Sequence, residues 1–253
     1  MDVHAPDPRP LRQPWQRHWL TCLLAACAGV GPVFVQAIYL SLANPGQDTV
    51  KVPDALNSFI GSVLTVAVFG GALLMLLYYI CGERLGDLQA GSGTLRTDLY
   101  LGFALCFQLL ATAVVVGWLT SLVGDSPAPA ANVDIARKLS QDPVLLAVWL
   151  GPVIWLQAAL YEEFARVFAV TRLWQVWGSR EGKVLVIVGY SLLFGLGHLY
   201  EGPVGVAMTA FIGLVLGLHF LVHGRVWPLI IAHGLYNTIV LSFLVSGVRE
   251  GLF

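Results

Sequence analysis

The sequence predicts an all-α fold, a polytopic transmembrane helix bundle of about seven spans. Three observations predict it. Of the 253 residues, 57% are hydrophobic and only 11% charged, where a soluble globular domain carries roughly 25% charged residues. The mean hydropathy is +0.75. The apolar residues also gather into runs near the ~20 residues that a helix needs to cross a bilayer, and eight tryptophans supply interfacial anchors.

The runs follow one another with little between them. Met1–His18 is rich in Pro and Arg and predicts a flexible, solvated tail. Trp19–Ala43 is the first span. Within it "LAAC" (Leu24–Cys27) has the look of a lipoprotein processing box, but the chain stays apolar for another sixteen residues, as the interior of a helix would. Ser58–Cys81 and Leu99–Val123 follow. The loop Gly124–Asp142 is the longest connection, with a short amphipathic turn expected at "VDIARKL". Val144–Val170, Lys183–Tyr200, Pro203–His223 and Val226–Gly247 complete the set. Pro and Gly punctuate the joints, as in "NPGQD", "CGERLGD", "GSREG" and "EGP". The expected organisation is a tail (1–18), three N-terminal helices (19–143) and a four-helix core (144–253).

Charge narrows the function. A net charge of −1 leaves no basic footprint for nucleic acid. Cys22, Cys27, Cys81 and Cys106 sit in apolar runs without metal-ligand spacing, which predicts buried free thiols. Seven spans would place Arg9, Arg12, Arg17, Arg84, Arg96, Arg172, Arg180, Lys183 and Arg225 on the N-terminal side, against Lys51, Arg137, Lys138 and Arg249. That bias puts the N-terminus in the cytoplasm. The small-xxx-small spacing of "GLVLG" (Gly213–Gly217) is read as bundle packing.

Ionisable residues inside a membrane cost a few kcal/mol each and mark function by default. Here they are few. "ALYEEFARVF" carries Glu162, Glu163 and Arg166; "FGLGHLYEG" carries His198; "IIAHGLYNT" carries His233 and Asn237. On a helix both glutamates fall within reach of Arg166, and His233 shares a face with Asn237. Glu162 lies 18 residues before Arg180 and His198 lies 18 after it, so a hairpin turning there sets them at similar depth. His219 and His223 have no such partner and read as packing or interfacial groups.

Three helices would thus present Glu, His, and His plus Asn to one cavity. Peptide hydrolysis needs such groups: a base to take a proton from water, and donors for the developing oxyanion. Glu and His could instead hold a metal that activates water, although no H-E-x-x-H motif occurs. The bland alternative is a buried ion-pair network that only fixes helix packing.

The ordered motifs resemble the CPBP family of intramembrane proteases, which includes the type II CAAX prenyl endopeptidases and bacteriocin-processing or immunity proteins. That family carries EExxxR, FxxxH and HxxxN. Here they stand as "EEFAR" from Glu162, "FGLGH" from Phe194 to His198, and "HGLYN" from His233 to Asn237, within about Leu145–Leu244. The resemblance implies an intramembrane endopeptidase acting on a membrane-associated protein or peptide. Glu162 and His198 would activate water, His233 and Asn237 would stabilise the oxyanion, and Glu163, Arg166 and Phe194 would support them. The arginine stands one residue closer to the glutamates than in the family, so Glu162 is preferred over Glu163 as base only because that alignment keeps the paired carboxylates. The family has been described as both metal-dependent and glutamic. No cofactor is expected here, with a divalent metal such as zinc as the alternative. The expected location is a bacterial inner membrane. The rival readings are a non-catalytic immunity or scaffold protein on the same fold, and a transporter using the glutamates as a proton relay.

Overall fold

The computed structural model describes residues 52–81, 83–88, 93–122 and 130–252, together with the helical positions Cys27, Gly31 and Val35. The expected tail Met1–His18 and, apart from those three positions, the expected first span Trp19–Ala43 lie outside the described residues. Among the described residues all regular structure is helical. We number the helices α1 (Ala55–Tyr79), α2 (Leu95–Leu122), α3 (Ala130–Gln141), α4 (Pro143–Trp174), α5 (Arg180–Leu196), α6 (Gly202–His223) and α7 (Trp227–Arg249).

The helices begin where local chemistry supplies partners for orphan N–H groups. Asp54 accepts from Asn57 N at 2.8 Å to start α1. Asp142 accepts from Val144 N and Leu145 N at 3.0 and 2.9 Å, with Pro143 in the first turn of α4. Ser179 accepts from Gly182 N at 3.0 Å ahead of α5. Such caps are each worth about 1 kcal/mol. At the other end of α6, Gly224 takes the left-handed φ of 63° that lets the chain reverse tightly into α7. Within α4 the stretch Trp149–Tyr161 is wound as a π-helix around Pro152. Proline removes a backbone donor and disfavours the regular α ladder, and such widened turns recur next to functional sites.

Five of the described helices, α1, α2, α4, α6 and α7, are long and apolar enough to cross a membrane. Their outward rows, such as Phe59, Val63 and Phe69 on α1, are exposed apolar side chains, as lipid-facing surfaces must be. The expected span Lys183–Tyr200 is not among these five. It forms α5, of 17 residues, about 26 Å long at 1.5 Å per residue and so shorter than the ~30 Å hydrocarbon core. The glycines of "GLGHLYEG" end it early, and the chain turns there through Gly202 at a φ of 76°. The amphipathic turn expected at "VDIARKL" is longer than foreseen, forming α3.

Helix α7 packs on α2, α3 and α4, and α5 packs on α6. Gly213 and Gly217 serve the packing that their spacing suggests. A Cβ on Gly217 would lie 2.6 Å from Ile187 Cγ2 of α5, and one on Gly213 would lie 3.1 Å from Arg166 Nη1. Ion pairs tie one end of the bundle. Arg225 donates from Nε and Nη2 to both oxygens of Asp98 at 2.5 Å, joining the α6–α7 turn to the start of α2. Arg172 donates to Glu83 at 2.7 Å, joining α4 to the segment after α1. At the opposite end α3 lies across the bundle, where Lys138 donates to Val52 O and Arg249 donates to Ser140 O. Cys81 and Cys106 are buried free thiols as expected, Cys27 is free but exposed, and Cys22 lies outside the described residues.

Candidate active site

The oily stretch before Glu162 delivers three charges into the core on α4. Glu163 and Arg166 are both fully buried, at 0% and 1% exposure. A lone buried charge is prohibitive, so each must be paired and bonded. Arg166 Nε donates to Glu163 Oε2 at 2.9 Å and Nη2 to Oε1 at 3.2 Å. Its remaining donor, Nη1, reaches Gly213 O at 3.3 Å, an approach that the missing side chain of Gly213 permits. The guanidinium also lies over the ring of Phe194 at 4.4 Å and near that of Tyr190 at 5.5 Å, a desolvated cation–π arrangement.

His233 completes the cluster. Its Nδ1 donates to Glu163 Oε1 at 2.8 Å, which leaves Nε2 as its free nitrogen. The Glu163 carboxylate is therefore saturated by three charge-assisted or imidazole bonds. The helix explains why Glu162 is not. Adjacent residues diverge by about 100° around the axis, so only one glutamate can face Arg166 squarely. The expectation that both carboxylates lean on one guanidinium is corrected on this point. Glu162 is half-buried and, among the described residues, has no hydrogen-bond or ion-pair partner. It nevertheless lies within electrostatic reach of His233, His198, Glu163 and Arg166.

His198 follows the end of α5. Its Nδ1 bonds Phe194 O at 2.9 Å and its ring meets the Phe194 ring edge-on at 5.0 Å. This gives the F-x-x-x-H spacing a physical meaning. One residue, Phe194, covers the buried cation with its ring and fixes the imidazole with its carbonyl. Asn237 sits one turn beyond His233 on α7, half-buried, with no hydrogen-bond partner among the described residues. Next to it in the chain, Tyr236 is buried. Close approach of α7 to α4 is set by Gly234, where a Cβ would come within 2.7 Å of the Trp155 ring.

The structure thus joins Glu163, Arg166, His233 and Phe194 by direct contact and brings Glu162 and His198 within electrostatic reach of one another. His219 meets His223 ring to ring at 4.3 Å. Sequence reasoning missed Tyr190 and Tyr161. Tyr190 stands four residues before Phe194 on the same face, a signal available from spacing. Tyr161 carries a buried hydroxyl beside Glu162 that has no hydrogen-bond partner among the described residues, and the apolar run around it hid that. A cavity of about 140 Å³ opens between α1 and α4, lined among others by Leu73, Leu77, Leu160, Tyr161 and Phe164, on both sides of Glu162 in sequence. The free nitrogens of His198 and His233 suit a metal chemically. Among the described residues, however, no three His, Cys, Asp or Glu side chains converge as ligands, so no step is routed through a metal below.

Residues 144–239 match the family model described as Type II CAAX prenyl endopeptidase Rce1-like. This part of the chain is similar to the Rce1-like domains of the CAAX protease (CPBP) family. No curated protein and no solved structure matches the chain. The match runs from the start of α4 into α7 and so contains every residue of the cluster, from Glu162 to Asn237. The likeness is to a family of proteases, in an integral membrane protein whose helices α1, α2 and α3 lie outside the match.

Proposed function

We propose that this protein is an intramembrane endopeptidase that hydrolyses a peptide bond in a membrane-associated protein or peptide, with Glu162 as the base. The observation that carries the reading is the inequality of the two glutamates. Glu163 is saturated by Arg166 and His233, whereas Glu162 has a free carboxylate beside both histidines. Glu162 takes the proton from water as it attacks the scissile carbonyl and then passes that proton to the leaving amine, while His198, through Nε2, orients the water. His233 and Asn237 meet the oxyanion. With Nδ1 given to Glu163, Nε2 is the nitrogen of His233 left for the oxyanion. The protein sits in a bacterial inner membrane with its N-terminus in the cytoplasm, so that the Asp98–Arg225 and Arg172–Glu83 pairs face the cytoplasm.

The test is cleavage by the full chain in proteoliposomes of two quenched-fluorescent peptides, one farnesylated with a C-terminal CAAX sequence and one anchored by a transmembrane helix. Wild type cleaves at least one, and Glu162→Gln cleaves neither. Equal turnover by both proteins rejects the reading, and no turnover by either favours the non-catalytic scaffold.

A further inference from the structure

Between Pro143 and Leu160 the chain carries a single amide or hydroxyl side chain, Gln157, and none of the motifs includes it. It is half-buried in the π-wound stretch of α4, at a depth where lipid offers an amide nothing to bond. Helix α1 packs along this stretch and meets part of the need. Ser62 of α1 is fully buried. Its hydroxyl donates to Ser58 O at 2.8 Å and, over a longer 3.4 Å, to Gln157 Oε1. The amide nitrogen of Gln157 has no hydrogen-bond partner among the described residues. Backbone bonds link residues four apart in an α-helix and five apart in a π-helix. Gln157 therefore stands one turn before Tyr161 and Glu162, where α4 passes from one winding to the other. Among the described residues the buried Tyr161 hydroxyl and the Glu162 carboxylate also lack a hydrogen-bond partner. The chain thus leaves three neighbouring polar side chains unbonded beside the candidate base. Buried polar groups are normally satisfied, and a ligand that carries C=O and N–H groups in a row would satisfy these.

We propose that Gln157, aimed by Ser62, is a substrate-binding residue that donates from Nε2 to a main-chain carbonyl of the peptide being cleaved. The inference rests on the reading of Glu162 as the base. One helical turn rises about 5.4 Å, and an extended peptide turns its carbonyls the same way every second residue, about 6.7 Å apart. The acceptor is therefore the carbonyl two residues from the one attacked. In a helix that carbonyl is already bonded to an N–H four residues on, so the substrate class is a membrane-associated segment that is extended around its scissile bond. The contact also gives α1, which lies outside the matched residues, a part in the site. A Ser62–Gln157 bond that only tied α1 to α4 would show itself in stability and not in substrate binding.

The experiment uses the full chain in proteoliposomes and follows cleavage of the helix-anchored peptide by mass spectrometry. The peptide is made with its ordinary amides, or with a thioamide, a poorer acceptor, at the carbonyl two residues to either side of the scissile bond. Gln157→Leu is expected to lower kcat/KM roughly three- to tenfold, the range for one neutral hydrogen bond, with no fall in the thermal midpoint. Wild type loses a similar factor on one of the two thioamide peptides, and Gln157→Leu loses nothing further on that peptide. Ser62→Ala, which keeps the amide but releases it, gives a smaller loss in the same direction. Equal kcat/KM for wild type and Gln157→Leu overturns the proposal, as does a thioamide loss that persists undiminished in Gln157→Leu. Should Gln157→Leu not fold, Ser62→Ala decides: reduced thioamide sensitivity supports the contact, and full sensitivity overturns it. If Glu162→Gln cleaves like wild type, or neither protein cleaves, the protease reading fails on its own account. Binding of the fluorescently labelled peptide to Glu162→Gln, with and without Gln157→Leu, then judges Gln157 by anisotropy. Weaker binding by the double variant supports the contact, whereas equal binding or none by either overturns it.

Discussion

Glu163 and His233 are joined by a 2.8 Å hydrogen bond across 70 residues of sequence, and the same Glu163 oxygen takes a second bond from Arg166. That shared oxygen locks α4 to α7. It commits Glu163 to holding the two helices together and leaves Glu162 outside that network of bonds.

Removing Arg166 should damage the fold before it damages chemistry. Arg166→Ala strands the buried Glu163 carboxylate, a change that costs about 3–5 kcal/mol. Thermal unfolding in detergent should show a large drop in the midpoint. Arg166→Lys should be only a partial rescue, since an ammonium cannot reproduce the fork of bonds to Glu163 and Gly213 O.

Replacing Asn237 should do the opposite. No partner among the described residues depends on its amide, so Asn237→Ala should unfold at the wild-type temperature. If it donates to the oxyanion, kcat falls about 10²–10³-fold while KM stays put. Steady-state kinetics on the helix-anchored peptide would show this.

Gly217→Leu should push α5 from α6. The space is already filled by Ile187, and overpacking of this kind costs about 1–3 kcal/mol. Double substitution with Ile187→Ala should recover much of the loss, measured by thermal midpoint.

Cys81 should resist alkylation. Burial pushes its thiol above the usual cysteine range, a trend that nearby Arg172 only partly offsets. A raised value means less thiolate at neutral pH, and the thiolate is the reactive form. N-ethylmaleimide should therefore label Cys81 slowly in the folded protein and quickly after denaturation, by peptide mass mapping.

Much of this was legible in the chain. Hydropathy placed the helices because lipid forces every backbone group into a helix, and that constraint leaves a plain signal. The rarity of intramembrane charge picked out Glu162, Glu163, Arg166 and the histidines. What could not be read was which glutamate meets Arg166. That depends on the rotation of α4, which follows from a π-wound stretch around Pro152 and from the side-chain gap at Gly213. The end of α5 was placed too late for a related reason: "GLGHLYE" is apolar enough to continue a span, and only the turn around Gly202 shows that the helix stops at Leu196.

The early end of α5 has a consequence for His198. The helix stops at Leu196 and the chain reverses at Gly202, so the imidazole hangs from a short turn and not from the middle of a long span. The Phe194 carbonyl is what anchors it there. The end of the helix thereby doubles as a hinge pin for the ring.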